Sequence, residues 1–253
     1  MKNQKLDVLI AEKPDEIDQA LRLRYKIFNT EMKEGLQRSV QKERDIDSYD
    51  PYCDHLIVVD KEKENQVVGT YRILSGKKAQ QGIGFYSENE FDLSSIQIAY
   101  EKICEIGRSC VHKDYRDGSV IKLLWQGLAD YMIQCDIQYL MGCTSLHTVN
   151  ANEVSEIYAY LKKKNFLDPV FQVFPHPGAV VEGFNPQFQL SDMKQIRKKI
   201  PVILKGYLRT GARVCGEPAH DKSFGTVDVF VILDAEKINE KYGNKFLKKN
   251  TTV

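Results

Sequence analysis

Apolar positions between Pro14 and Met32 recur at helical spacing. Ile17, Leu21 and Phe28 fall at i, i+4 and i+11, with Ala20 and Ile27 beside them, and Arg24 at i+7 sits on the same stripe. Pro14 suits a first turn, and Asp15 and Glu16 suit the positive end of a helix dipole, so the pattern predicts a helix over 14–32. Residues 35–51 carry charge without period. Two short apolar runs, 55–60 and 66–74, flank a polar turn and read as a hairpin. Val68, Thr70, Arg72 and Leu74 share one face of its second strand. Residues 82–95 show no clear period. A strand is expected over 103–111. The stripe Ile121, Leu124, Leu128, Tyr131 or Met132, and Cys135 predicts a helix over 119–135. A strand follows at 138–143, then a helix at 151–163 whose Asn150 and Glu153 resemble a capping box. Further expectations are a strand at 170–174, a basic helix at 191–199 and a helix at 201–210 stopped by Gly211. A last strand is expected at 224–233, before a lysine-rich tail of the kind that frays. This order describes an interleaved α/β or α+β domain with a mixed sheet and no internal repeat.

Composition narrows the classes. With 253 residues, 42% hydrophobic and 28% charged, the chain is long enough for a sizeable core. A net charge of +1 gives no bulk case for nucleic acid. The N-terminus lacks the apolar region of a signal peptide, and no apolar run approaches the roughly 20 residues of a membrane helix, so a cytoplasmic location is the expectation. The six cysteines contain no Cys-x-x-Cys pair, which points to reduced thiols and no metal. Cys53-Asp54-His55 has no second ligand pair near it.

The chemistry concentrates between Glu105 and Ser119. A carboxylate on a strand precedes the turn Arg116-Asp117-Gly118-Ser119, which opens a helix. Free N–H groups at a helix start, with a glycine allowing close approach, form an anion site. There is no Walker Lys-Ser/Thr pair and no G-x-G-x-x-G. An amine that attacks a thioester must be neutral, and an α-amine is largely protonated at neutral pH. Glu105 as general base would supply about 10²–10⁴-fold. The oxyanion then needs a donor from backbone N–H groups or an arginine such as Arg108. Ser109 and Cys110 lack a nucleophile elbow and a histidine placed for them. Strict alternation puts Glu105, Gly107 and Ser109 on one face and Ile106, Arg108 and Cys110 on the other. Glu105 and Arg108 therefore share a site only if the strand bulges or splays near Gly107.

Asp45, Asp47 and Asp50 read either as a solvated loop or as a lid whose carboxylates hold a cationic acceptor. Arg24 and Arg72, on otherwise apolar elements, are either edge residues or cations turned toward an anion. The basic run with Lys194, Arg197, Lys198, Lys199 and Lys205 is either a solvated face or a dock for an acidic partner.

Glu105–Ser119 resembles the strand and phosphate turn of the acetyl-coenzyme-A-dependent N-acetyltransferase (GNAT) superfamily, in a reduced form without the turn's second glycine. The segments 23–28, 31–32, 68–74, 85–88, 105–116, 204–209 and 211–212 resemble one subgroup, the hemolysin-like, ornithine lipid-forming N-acyltransferases. These are similar in their front half to acyl-homoserine-lactone synthases. The shared pattern has Arg24 and Phe28 on the first helix, Asp47-Ser48-Tyr49-Asp50, Arg72 on the hairpin, and Glu105 with Arg108.

The resemblance implies one GNAT-like domain, a mixed, mostly antiparallel central sheet with helices on both faces, with 191–253 as a C-terminal extension. It implies transfer of a fatty acyl group from acyl carrier protein to the α-amine of an amino acid, with ornithine the usual acceptor. Glu105, Arg108 and Arg72 would then be catalytic. Arg116, Gly118 and Ser119 would bind the donor phosphopantetheine. Arg24, Asp45, Asp47 and Asp50 would bind the acceptor, and Lys198, Lys199 and Lys205 would dock the carrier protein. The donor is an acyl-phosphopantetheine thioester, with acyl-coenzyme A as the alternative, and no cofactor or metal is resident. Peripheral contact with the inner membrane face fits the product. An apolar slot for the acyl chain is expected from Phe85, Phe91, Trp125 or Leu128. Competing readings are a signal or N-acyl amino acid synthase with another acceptor, and a non-catalytic acyl-binding protein.

Overall fold

A computed structural model describes residues 5–36, 39–190 and 192–238. In chain order the elements begin with β1 (Leu6–Ile10), α1 (Pro14–Tyr25), β2 (Asp54–Asp60), β3 (Gln66–Ser75) and a single helical turn α2 (Gly76–Lys78). There follow β4 (Phe91–Asp92), β5 (Ile103–Val111), α3 (Ser119–Gln134), β6 (Tyr139–Leu146), α4 (Ala151–Lys163) and β7 (Phe174–Pro175). The last are α5 (Met193–Lys199), α6 (Val202–Thr210), β8 (Arg213–Val214), β9 (Ala219–Asp221) and β10 (Thr226–Asp234). The described residues divide into two compact units, one within 5–83 and 104–137, the other within 84–103 and 138–238.

In the first unit β1, β2, β3 and β5 form an antiparallel run in that order. Successive strand residues face opposite ways, and the two faces are covered by different helices. Ala20, Leu23 and Ile27 pack with Ile57, Val59, Val67 and Cys110 on one face. On the other, α3 lies so close that a Cβ at Gly127 would stand 2.8 Å from Leu56 and Val8. The helix predicted over 14–32 is α-helical to Tyr25 and then widens into π-type turns to Met32, ending at Lys33 with φ 61°. Such widened turns are frequent at functional sites.

Between Thr70↔Cys110 and Arg72↔Gly107, Tyr71 alone stands opposite Arg108 and Ser109. That is a β-bulge. Arg108 has φ 50°, in the left-handed region that costs a side-chain-bearing residue about 1–2 kcal/mol.

In the second unit β10 pairs antiparallel with β6 from Val227↔Leu146 to Asp234↔Tyr139, and also pairs with β8 and β9. Helices α4, α5 and α6 cover one face through Ile157, Leu161, Ile196 and Leu204 against Leu146, Val227, Val229 and Val231. On the other face the Phe91 and Phe230 rings meet, with centroids 5.9 Å apart. Residues 192–238, expected as an extension, supply this unit's long strand β10 and two of its helices.

Helix α3 falls where its stripe places it and α4 where the capping pattern does, with Asn150 Oδ1 accepting the Glu153 N–H at 3.1 Å. Gly211 ends α6 with φ 115°. The expected strand at 170–174 is corrected: only Phe174–Pro175 pairs, because Val170 is 73% exposed and its apolar run buries little. Ser191 and the tail from 239 lie outside the described residues.

Candidate active site

Glu105 lies opposite Leu74, and Gly107 lies opposite Arg72. Directly opposed residues share a face, so the buried Glu105 carboxylate and Arg72 project on the same side. The bulge resets the alternation after Gly107. The Arg108 guanidinium then joins that side, its Nη2 donating to Asp47 Oδ2 at 3.0 Å, while Arg72 Nη1 donates to Asp47 Oδ1 at 2.6 Å. The distortion that the alternation required at Gly107 is therefore present.

Three arginines and three aspartates converge here. Arg24, fully buried, donates from Nε to Asp45 Oδ2 at 2.8 Å and from Nη1 to Asp50 Oδ1 at 2.7 Å. Asp50 also accepts the Asp47 backbone N–H at 2.7 Å and reaches Arg72 at 3.4 Å. Arg108 Nε lies 3.3 Å from Asp45 Oδ2. The Arg72 guanidinium sits over the Tyr49 ring. Three cations balance three anions, and a buried charge is tolerable only with such partners.

This corrects the reading of Asp45, Asp47 and Asp50 as a solvated loop, because all three are buried. Their side chains face inward and are occupied by the protein's own arginines. Arg24 likewise has its donors turned to Asp45 and Asp50. The anionic centre at which the arginines aim is the aspartate trio.

Burial pushes the Asp47 and Asp50 carboxyls up. Arg72 and Arg108 outweigh that at Asp47, and Arg24 and Arg72 at Asp50, so both end below the usual carboxylate range. Burial, then Arg24, lowers His55 below its usual value. Burial pushes the Cys53 thiol up to about 12, and the Cys110 thiol likewise to about 12. Neither is a thiolate at neutral pH, and Cys110 packs in the core between α1 and the sheet.

The turn residues gather at the start of α3. Gly118 has φ 95°, a conformation open to glycine. Asp117 Oδ1 accepts both the Ser119 N–H at 2.9 Å and the Ser119 hydroxyl at 2.6 Å. A carboxylate thus caps the first N–H of α3 from within the turn. Arg116 bonds the Val111 carbonyl at 3.0 Å and pairs with Glu31.

Of the expected docking lysines, Lys199 is held by Glu153 and Glu156 on α4. Lys198 and Lys205 have no such partner among the described residues. Burial, followed by Arg197 and Arg209, lowers Lys205 below its usual range. Phe85 and Phe91 line a cavity in the second unit. Trp125 and Leu128 instead belong to α3 in the first unit, where the Trp125 Nε1–H lies 3.4 Å from the Tyr71 hydroxyl. The sequence reading passed over Glu90, Cys143 and Asp228, whose ligand atoms lie within 4.8 Å of one another and make a group able to hold a cation. They come from three separate segments, and no local spacing marks them.

An acetyltransferase (GNAT) domain family matches residues 23–126. The L-ornithine N(alpha)-acyltransferase of Brucella abortus (strain 2308) is 33% identical over 255 residues, covering 94% of this chain and 87% of that protein. The chain belongs to the L-ornithine N(alpha)-acyltransferase family. The Agrobacterium fabrum (strain C58 / ATCC 33970) member is 32% identical, covering 94% of this chain and 83% of its own length. The fold is similar to that of FeeM, an N-acyl amino acid synthase from uncultured soil microbes, at TM-score 0.53, 11% identity, and coverage of 92% and 94% of the two chains. It is similar also to the AHL synthase LasI at TM-score 0.52, 16% identity, and coverage of 95% and 94%. A GNAT-like mixed α/β fold and an N-acyltransferase activity follow from membership. No helix among the described residues is long and apolar enough to cross a membrane.

Proposed function

We propose that this enzyme transfers a fatty acyl group from an acyl carrier protein thioester to the α-amine of L-ornithine, for ornithine lipid synthesis. Family membership over nearly the whole chain supports the acceptor. The observation that carries the chemistry is the buried Glu105 carboxylate beside a β-bulge on a strand. A bulge leaves its extra residue outside the ladder, so backbone donors near Arg108 and Ser109 suit an oxyanion. Glu105 takes the proton as the amine nitrogen bonds to the thioester carbon. The C–S bond then breaks, and the leaving thiolate takes up a proton.

Arg72 and Arg108 act through position, holding the strand and its bulge against the aspartates. Arg116, Gly118 and Ser119 receive the single phosphate of the pantetheine arm in place of the Asp117 carboxylate. An acidic carrier protein suits the exposed cations Lys198, Arg197 and Arg209, with Lys205 between the two arginines, better than it suits Lys199. The product is amphipathic, which supports a cytoplasmic enzyme in peripheral contact with the inner membrane face.

The test is direct. Purified enzyme, acyl carrier protein thioester and L-ornithine should yield N-acyl-ornithine by mass spectrometry. Acyl-coenzyme A in place of the carrier should give a lower rate. Glycine or another amino acid winning a competition assay outright would replace the acceptor. Binding of the donor without turnover for any amine would remove the enzyme reading.

A further inference from the structure

Helix α1 ends at Tyr25, and the widened segment Lys26–Met32 continues it. An α-helix turns about 100° per residue, so residues five apart lie about 140° apart around it. In a π-type turn the hydrogen bond spans five residues, and residues five apart come close to one face. Lys26 and Glu31 are five apart, and both reach the stretch that joins β5 to α3, within the first unit.

The Lys26 ammonium, which can only donate, meets His112 Nε2 at 3.1 Å. Glu31 takes Arg116 in a two-pronged grip: Nη1 donates to Oε1, and Nη2 donates to Oε2 at 2.9 Å. An unwidened helix would turn one of these two side chains away. The Arg116 Nε–H donates to the carbonyl of Val111, the last residue of β5, at 3.0 Å. The guanidinium is therefore held from the strand end and from the widened segment at once.

A guanidinium has five N–H donors, and these bonds use three. Two are left for a phosphate without Glu31 letting go. A fork fixed in this way loses less freedom on bonding an anion than a loose one does. The hydrogen bond from Arg116 holds the Glu31 carboxyl below its usual range against the upward push of burial, and Lys113 and His112 act in the same direction as Arg116. Glu31 is therefore ionised at neutral pH, as the grip requires.

We propose that Glu31 is a positioning residue for the acyl donor: from the widened helix it holds the Arg116 guanidinium ready for the pantetheine phosphate. The inference rests on the donor site proposed above, in which Arg116 meets that phosphate. It adds a residue from outside the turn, and it gives the widened segment a task.

The test isolates the phosphate. Phosphopantetheine and pantetheine differ only in that group, so the ratio of their dissociation constants for the full chain reads its contribution without turnover. Glu31→Gln keeps the size of the side chain and loses the ionic grip. An exposed ion pair is worth at most about fivefold. The preference for phosphopantetheine should therefore fall by about two- to fivefold, and the donor KM for acyl transfer should rise by as much with kcat unchanged. Glu31→Asp, which keeps the charge on a shorter arm, should restore part of the preference. In an Arg116→Ala background Glu31→Gln should change nothing further.

A carboxylate that merely repelled the phosphate would give the opposite sign, so a preference that rises in Glu31→Gln would overturn the proposal. An equal loss in the Arg116→Ala background would overturn it too, because the effect would then not run through Arg116. A preference lowered by Arg116→Ala and untouched by Glu31→Gln would sink the role of Glu31 and leave the donor site standing. A preference that neither variant moves would sink the donor site as well.

Discussion

Arg108 holds Asp47 at 3.0 Å across a sequence separation of 61 residues, and does so from a left-handed backbone position. The ion pair and the bulge are therefore one feature. The side chain reaches the aspartates because the backbone bends, and the bend is retained although an arginine pays for it.

Two substitutions at this position should separate those contributions. Arg108→Ala loses the charge partner and keeps the left-handed penalty, so it should cost about 3–5 kcal/mol of stability. Arg108→Gly loses the same partner but relieves the backbone, and should be about 1 kcal/mol more stable than the alanine variant. Urea titrations of both variants check the difference; equal midpoints would show that the backbone stores nothing there.

Acid should expose the network. Asp47 and Asp50 have folded-state values below their unfolded ones. Their contribution is present above about pH 4 and is lost as the pH falls through the folded values, because the unfolded chain then binds more protons. Stability measured from pH 7 downward should stay level to about pH 5 and then drop. In Asp50→Asn the drop should be shallower, from a starting point lowered by about 3–5 kcal/mol.

Glu105→Gln keeps the shape of the side chain and removes its basicity. N-acyl-ornithine formation at neutral pH should fall by about 10²–10⁴-fold, with the thermal midpoint changed little. A full rate from pH 6 to 9 would remove Glu105 from the role of base.

In the proposed donor site, Asp117 competes with the phosphate for the first N–H of α3. Asp117→Gly should lower the donor KM several-fold while costing about 0.5–1.5 kcal/mol of stability through the lost bonds to Ser119. An unchanged KM would place the pantetheine phosphate elsewhere.

Cys53 lies beside the network with its thiol pushed up to about 12. Cys53→Ala should keep full activity, and alkylation at pH 8 should label the exposed Cys135 before it. Loss of activity on labelling Cys53 alone would contradict a protonated, bystander thiol.

The sequence made legible what is repeated within one element. The stripe of α3 recurs over several turns, and the Asn150 cap that places α4 is local, so both helices end within a residue of expectation. β4, β8 and β9 have two or three residues each, too few for any period, and Val170 misled because an apolar run says nothing about what covers it. At the site, the need for a bulge near Gly107 could be read from alternation, and Arg24 and Arg72 could be placed on apolar elements with their burial left open between edge and interior. The partners of those arginines could not. Arg24 finds its aspartates 21 and 26 residues on, and Arg72 finds Asp47 25 residues back, across a loop with no pattern.

The aspartate–arginine set also constrains how such a sequence can drift. Six groups sum to zero charge inside the protein, so any one replacement by a neutral residue strands a charge. Stepwise change at positions 24, 45, 47, 50, 72 and 108 then passes through a destabilised intermediate, whereas a matched pair of changes does not. Among variants selected for function from a randomised library, these positions should alter in opposite-charge pairs, and survivors carrying one change alone should be rare.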